Sequence, residues 1–127
     1  MIDVLIPTDV GFSFYDAELR SLYENLQDDI CDTNSFEFIR DNTLFYCFLK
    51  DKTLFGAIYY FLDEDNKLYV NAFAKRKYFF EKLEVLKKSL HWFSSDIYAQ
   101  AQNRASAYCL LKCGFKRLEG NLFIFKR

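Results

Sequence analysis

One histidine, one proline and four glycines in 127 residues exclude a good deal at the outset. A single His gives a zinc site few ligands to draw on. The four cysteines, Cys31, Cys47, Cys109 and Cys113, form no Cys-x-x-Cys pair. Cys109 and Cys113 stand four apart in a predicted helix, a spacing that two metal ligands could use. Two small apolar residues beside a helix end is the simpler reading of such free thiols, and no metal is expected. The absence of disulfide-type spacing suits a reducing, cytoplasmic setting. No Pro/Gly/Ser-rich tract, repeat or low-complexity segment divides the chain, so residues 1–127 are expected to form a single domain. Charge of one sign is lacking too: the net charge is −1 and the pI about 5.8. No broad positive field follows, and nucleic acid is not an expected partner. No apolar run approaches the ~18 residues of a membrane span, and no basic segment leads into an apolar one near Met1, so neither membrane nor targeting signal is expected.

What the chain has in quantity is apolar and aromatic surface. Half of it (51%) is hydrophobic, with fifteen Phe and nine Tyr. Burying that much surface offsets the entropy of ordering the chain, which excludes a disordered polypeptide.

The periodicity of these residues lays out the elements. Ile2–Ile6 reads as a strand stopped by Pro7. Tyr15, Leu19, Leu22, Tyr23, Leu26 and Ile30 recur at steps of three and four, predicting one helix. A shorter helix is expected over Ser35–Arg40, with Asn34 as its cap. Thr43–Leu49 and Thr53–Leu62 are strands joined by the polar turn Lys50-Asp51-Lys52, and Asp63–Asn66 turns into a fourth strand, Lys67–Ala74. Both hairpin strands are almost continuously apolar, as strands covered on two faces are. Phe79, Leu83, Leu86, Leu90 and Phe93 then form a helical stripe. A strand at Asp96–Ala101 leads to a helix starting near Asn103 and stopped by Gly114. A hairpin turning at Gly120-Asn121 closes the chain. The fold class is therefore α/β in the broad sense, a mixed α+β sheet. Its order is β-α-α-β-β-β-α-β-α-β, mostly antiparallel, with helices on both faces and one right-handed crossover.

This order, Gly56 in the third strand, and Asn103 standing before Gly114-Phe115 in NRASAYCLLKCGF together resemble the GNAT superfamily of acyl-CoA N-acyltransferases. The resemblance covers most of the chain and implies a cofactor loop of the form Gln/Arg-x-x-Gly-x-Gly/Ala between the fourth strand and the third helix. Such a loop works by aiming backbone N–H groups at a pyrophosphate, with small residues allowing close approach. Compared position by position, Lys75 falls at the Gln/Arg site, but Tyr78 and Phe80 fall at the small ones. Rings there would occupy the ligand's volume, and would cost more still if the backbone needed positive φ. Many relatives also place a general-acid Tyr seven residues after the Asn; here that position is Leu110, and Tyr108 should face another way.

These departures favour a GNAT-like domain with a degraded acyl-CoA loop, working without cofactor as an interaction or assembly module with a protein partner. Its size and IPTD start are also similar to small GNAT-like proteins of bacteriophage head assembly. The alternative is an active N-acetyltransferase on an unknown amine. Acetyl-CoA would then lie against Asn71, Ala72 and Phe73, with Lys75 and Arg76 holding the pyrophosphate, Lys77 and Tyr78 in the same cofactor-binding loop, and Asn103 on the pantetheine side. No residue is assigned a catalytic role: His91 reads as a helix-end histidine, and Lys75-Arg76-Lys77 as a basic turn whose charge opposes the helix dipole. The terminal strand in NLFIFKR is the expected place for a protein contact.

Overall fold

A computed structural model describes residues 1–127. Seven strands form one sheet: β1 (Ile2–Leu5), β2 (Leu44–Lys50), β3 (Thr53–Leu62), β4 (Leu68–Ala74), β5 (Ile97–Gln100), β6 (Lys116–Glu119) and β7 (Leu122–Phe125). They lie in the order β1-β2-β3-β4-β5-β7-β6. Every neighbouring pair is antiparallel except β4 and β5. Helices α1 (Asp16–Asn25) and α2 (Phe36–Asn42) cover one face, while α3 (Phe79–Ser89) and α4 (Arg104–Lys112) cover the other. This is the mixed sheet with two helical faces that the pattern predicts. No helix is long and apolar enough to cross a membrane.

The unbroken apolar runs of β2 and β3 follow from this sandwiching. Successive side chains of a strand point to opposite faces, so Phe45 and Cys47 enter the α1/α2 core while Phe48 enters the α3/α4 core. In β3 the alternation changes phase. Leu54 and Ala57 share the α1/α2 side, although they stand three apart, while Phe55 and Ile58 share the other. The cause is an irregularity in pairing: Phe48 faces Gly56, and the next partner of Leu49 is Leu54. The extra residue resets which face each later side chain meets. Gly56 is required beside it, because a Cβ there would stand 2.4 Å from the Phe73 carbonyl oxygen and 2.8 Å from the Ala74 Cβ.

Three local expectations change. The stripe from Tyr15 to Ile30 does not make one helix: α1 ends at Asn25, a 3-10 turn spans Gln27–Asp29, and Ile30 is extended (φ −128°, ψ 129°). The short turn lets Ile30 reach the core while redirecting the chain towards the sheet. The cap of α2 is Ser35, whose Oγ accepts from the Phe38 N–H at 3.1 Å, and not Asn34. The final strand is not an edge. β7 lies between β5 and β6 with Phe123 fully buried, so the free edges of the sheet belong to β1 and β6.

Replacing Gly56 by Ala should drive β3 and β4 apart where β4 ends. The expected loss is about 1–3 kcal/mol, the usual result of overpacking, read as a lower urea midpoint with an unchanged slope.

Candidate functional site

The parallel contact between β4 and β5 is short. Leu68 faces Ile97 and Tyr69 faces Tyr98, after which the strands separate. From Val70 to Ala74, β4 keeps its β3 partner but has none on the β5 side. Three cavities lie end to end in this fork, sharing lining residues where they meet. The first, about 390 Å³, opens between α3 and α4 and is lined by Ala72–Arg76, Phe79, Lys82 and Asn103 among others. A neck of about 40 Å³ follows, between Val70–Ala72 on β4 and Ala99–Gln100 on β5. Beyond it, on the α1 side, a polar cavity of about 610 Å³ is lined by Gln27, Asp32, Asn34, Gln100, Gln102 and Asn121 among others.

The first cavity is basic. Lys75, Arg76 and Lys82 line it against one carboxylate, Asp29. Lys75 Nζ is held by Glu18 of α1 at 3.0 Å. Neither Arg76 nor Lys82 has an ion-pair partner. Residues Arg76–Tyr78 form a single 3-10 turn running into α3, in which the Tyr78 N–H donates to the Lys75 carbonyl at 2.9 Å and the Phe79 N–H to that of Arg76. The N–H groups of Arg76 and Lys77 are thus the ones left without intrahelical acceptors. Anion, donors and space are therefore compatible here.

Rings do not fill this cavity in the expected way. Tyr78 turns into the α3/α4 core and stacks on Phe55 at 5.2 Å, and Phe80 points to solvent, 78% exposed. Neither lines the cavity. The backbone also makes no demand for glycine, since Tyr78 has φ −103° and Phe79 φ −56°. The obstruction read from the sequence assumes that the side chains follow the family's backbone; the 3-10 turn aims them elsewhere. Lys77 likewise stays outside, its Nζ 5.4 Å over the Tyr78 ring.

Of the residues singled out from sequence, Ala72, Phe73, Lys75, Arg76 and Asn103 meet at the first cavity and Asn71 lines the neck; Lys77 and Tyr78 do not join them. Asn103 is the cap of α4. Its Oδ1 accepts from the Ser106 N–H at 2.9 Å, and its Nδ2 donates to Asp29 at 2.8 Å, tying α4 to the turn after α1. Asn71 Nδ2 donates to the Tyr59 hydroxyl at 3.2 Å, which donates to Asp32 at 2.8 Å. Burial, with the nearby Asp32 carboxylate, pushes the Tyr59 hydroxyl far above its ordinary pKa, so it stays a neutral donor. Leu110 occupies the neck wall and Tyr108 lies outside it, as the helical geometry predicts. His91 lies away from the fork, with Nδ1 3.5 Å from Arg127 Nη1.

Sequence reasoning passes over Asp29, Cys31, Asp32 and Lys82. The first three follow a helix end that the unbroken apolar stripe conceals, and Lys82 is one of several lysines on an amphipathic helix. Cys31 lines the neck and the polar cavity, with Sγ donating to Gln102 Oε1 at 2.8 Å; burial raises its pKa. Cys109, on the opposite wall, has a lowered pKa because the Cys113 thiol hydrogen-bonds to it; Cys113 is correspondingly raised.

The Asp32–Tyr59–Asn71 chain yields a stability test. Tyr59→Phe removes the acceptor of a buried amide and should cost about 1–3 kcal/mol. In a double-mutant cycle, Tyr59→Phe with Asn71→Ala should cost less than the two single losses added together, since they share one hydrogen bond.

No protein-family model matches the chain, and no curated protein is similar to it in sequence. Its structure is similar to that of an N-acetyltransferase from Staphylococcus aureus Mu50, with TM-score 0.76 and 12% identity over 99% of this chain and 97% of that one. A GNAT-family acetyltransferase from the same organism gives TM-score 0.62 and 12% identity, with 98% of each chain covered. An N-acetylglutamate synthase from Neisseria gonorrhoeae, complexed with coenzyme A and N-acetyl-glutamate, gives TM-score 0.60 and 15% identity. That match covers all of this chain (100%) and 36% of the other. The fold is that of the GNAT acyltransferases.

Proposed function

We propose that this chain binds acyl-CoA in the fork between β4 and β5 and transfers the acyl group, acetyl in the simplest case, to an amine on the α1 side of the sheet. The observation that carries this reading is the passage itself. A basic cavity clear of Tyr78 and Phe80 leads through a neck at the strand fork into a polar cavity. The solved structures of like fold, named as acetyltransferases, support the same reading.

Acyl-CoA would supply an activated thioester carbonyl; the chain supplies position and charge. Arg76 and Lys82 are the free cations for a pyrophosphate, whereas Lys75 is already engaged by Glu18. The unpaired edge of β4 offers peptide groups from Val70 to Ala74 along which an amide-bearing arm can lie. Asp32, the one carboxylate of the polar cavity, attracts an ammonium group and can take its proton directly or through water. Lys82 lines the neck as well as the basic cavity. Leu110, on the neck wall, has no proton to give a departing thiolate, which solvent would then protonate.

Titration of the protein with CoA by calorimetry tests the reading. Arg76→Ala and Lys82→Ala should each weaken binding by about tenfold or more, as loss of a charged hydrogen bond does, and Lys75→Ala by less. An absence of CoA binding at millimolar ligand would favour the second reading, a protein-contact or assembly module of the bacteriophage kind. Its surface would be the turn before α1, where Val10 and Phe14 are 94% and 85% exposed.

A further inference from the structure

The basic cavity has an aromatic rim that neither core uses fully. Phe79, at the start of α3, lines the cavity, and its ring stacks on that of Tyr108 of α4, with centroids 6.2 Å apart and planes 20° apart. Phe80 meets Phe79 edge-on at 5.7 Å. Tyr108 is 52% exposed, so this ledge has an open side. Exposed rings gathered at one spot usually mark a contact.

Charge around the ledge narrows the contact to one chemistry. Arg104, Tyr108 and Lys112 recur at intervals of four on α4, which puts them in a row on one helix face. Lys112 Nζ lies 5.5 Å from the Tyr108 ring centroid. The mouth of the cavity adds the unpaired Arg76 and Lys82. An apolar partner would use the rings and leave four cations desolvated beside it; a simple anion would use the cations and leave the rings in water. A ligand that is both flat and polyanionic uses both, as a nucleotide does when its base stacks on an aromatic side chain and its phosphates meet Arg and Lys.

We infer that Phe79 and Tyr108 form a stacking ledge for the adenine of CoA, with Arg104 and Lys112 facing the phosphate on its ribose. This inference rests on the acyl-CoA reading above and deepens it. It also gives the aromatic start of α3 a binding role: the rings hold the nucleotide end of the ligand outside the cavity that its pantetheine arm enters.

Calorimetry with CoA and with 4′-phosphopantetheine, which lacks the adenosine bisphosphate, tests the ledge. The wild-type protein should bind CoA at least tenfold more tightly, since one stacked base is worth about tenfold to a hundredfold and the ribose phosphate facing Arg104 and Lys112 adds to it. Tyr108→Ala, at a half-exposed position that should leave the fold intact, should reduce that preference by about tenfold or more without changing affinity for 4′-phosphopantetheine. Tyr108→Phe should keep it, and Phe79→Ala should repeat the Ala result if its melting curve stays cooperative. Equal affinity of the wild-type protein for the two ligands would overturn the ledge and leave the acyl-CoA reading standing. So would a Tyr108→Ala variant that keeps the full preference, or one that loses both ligands equally. Binding of neither ligand to the wild-type protein would overturn both.

Discussion

The parting of β4 from β5 after two residue pairs is the constraint on which the rest of this molecule depends. An interior strand with one unpaired edge is costly, because backbone N–H and C=O groups need partners. The fork persists because both strands are held from their outer sides. β4 is paired with β3 along its whole length, and β5 with β7. Asn103 joins α4 to the turn after α1 through Asp29 and so bridges the two walls of the fork. The widening gap is thus a product of the sheet's own pairing, and it leaves polar backbone facing a cavity where a ligand can satisfy it.

How much of this was legible in the sequence depends on the range of the interactions involved. Period-two and period-three-or-four patterns report burial against a neighbour, so strands such as Thr53–Leu62 and the stripe of α3 read directly from the residue order. Asn103 and Gly114 also read directly, because a cap and a left-handed helix stop (φ 99°) are local requirements. The end of α1 does not read, since Leu26 and Ile30 continue the apolar spacing across a break that only packing decides. That break brings Asp29, Cys31 and Asp32 to the fork. Their place depends on tertiary contacts with Asn103, Gln102 and Tyr59, more than twenty residues away in each case.

The polar side of the fork is built with similar economy. Asp32 is fixed by the Tyr59 hydroxyl and by the Asn34 N–H, each at 2.8 Å, and both donors are uncharged. Its negative charge is therefore oriented without being neutralised, whereas Glu18 engages Lys75 at the opposite mouth. A passage basic at one end and holding an unpaired carboxylate at the other has a direction built into it: polyanionic material is favoured from one side and cationic material from the other.

Glycine in a phosphate cradle serves two separate purposes, freedom of φ and absence of side-chain volume, and a motif comparison cannot tell which one a given chain needs. Here neither applies. The turn from Lys75 to Phe79 keeps negative φ throughout, so an L-residue is unstrained at each position. Volume is removed by direction: the 3-10 turn sends Tyr78 against Phe55 in the α3/α4 core and Phe80 into solvent. Substitution of a small residue by a large one excludes a ligand only if the new side chain points at it. The relevant test of a departed motif is thus the direction of the Cα–Cβ bond, which is set by the backbone and by the partners available to the ring. In this chain Phe55 provides such a partner in the α3/α4 core, and the basic cavity stays clear of the Tyr78 ring.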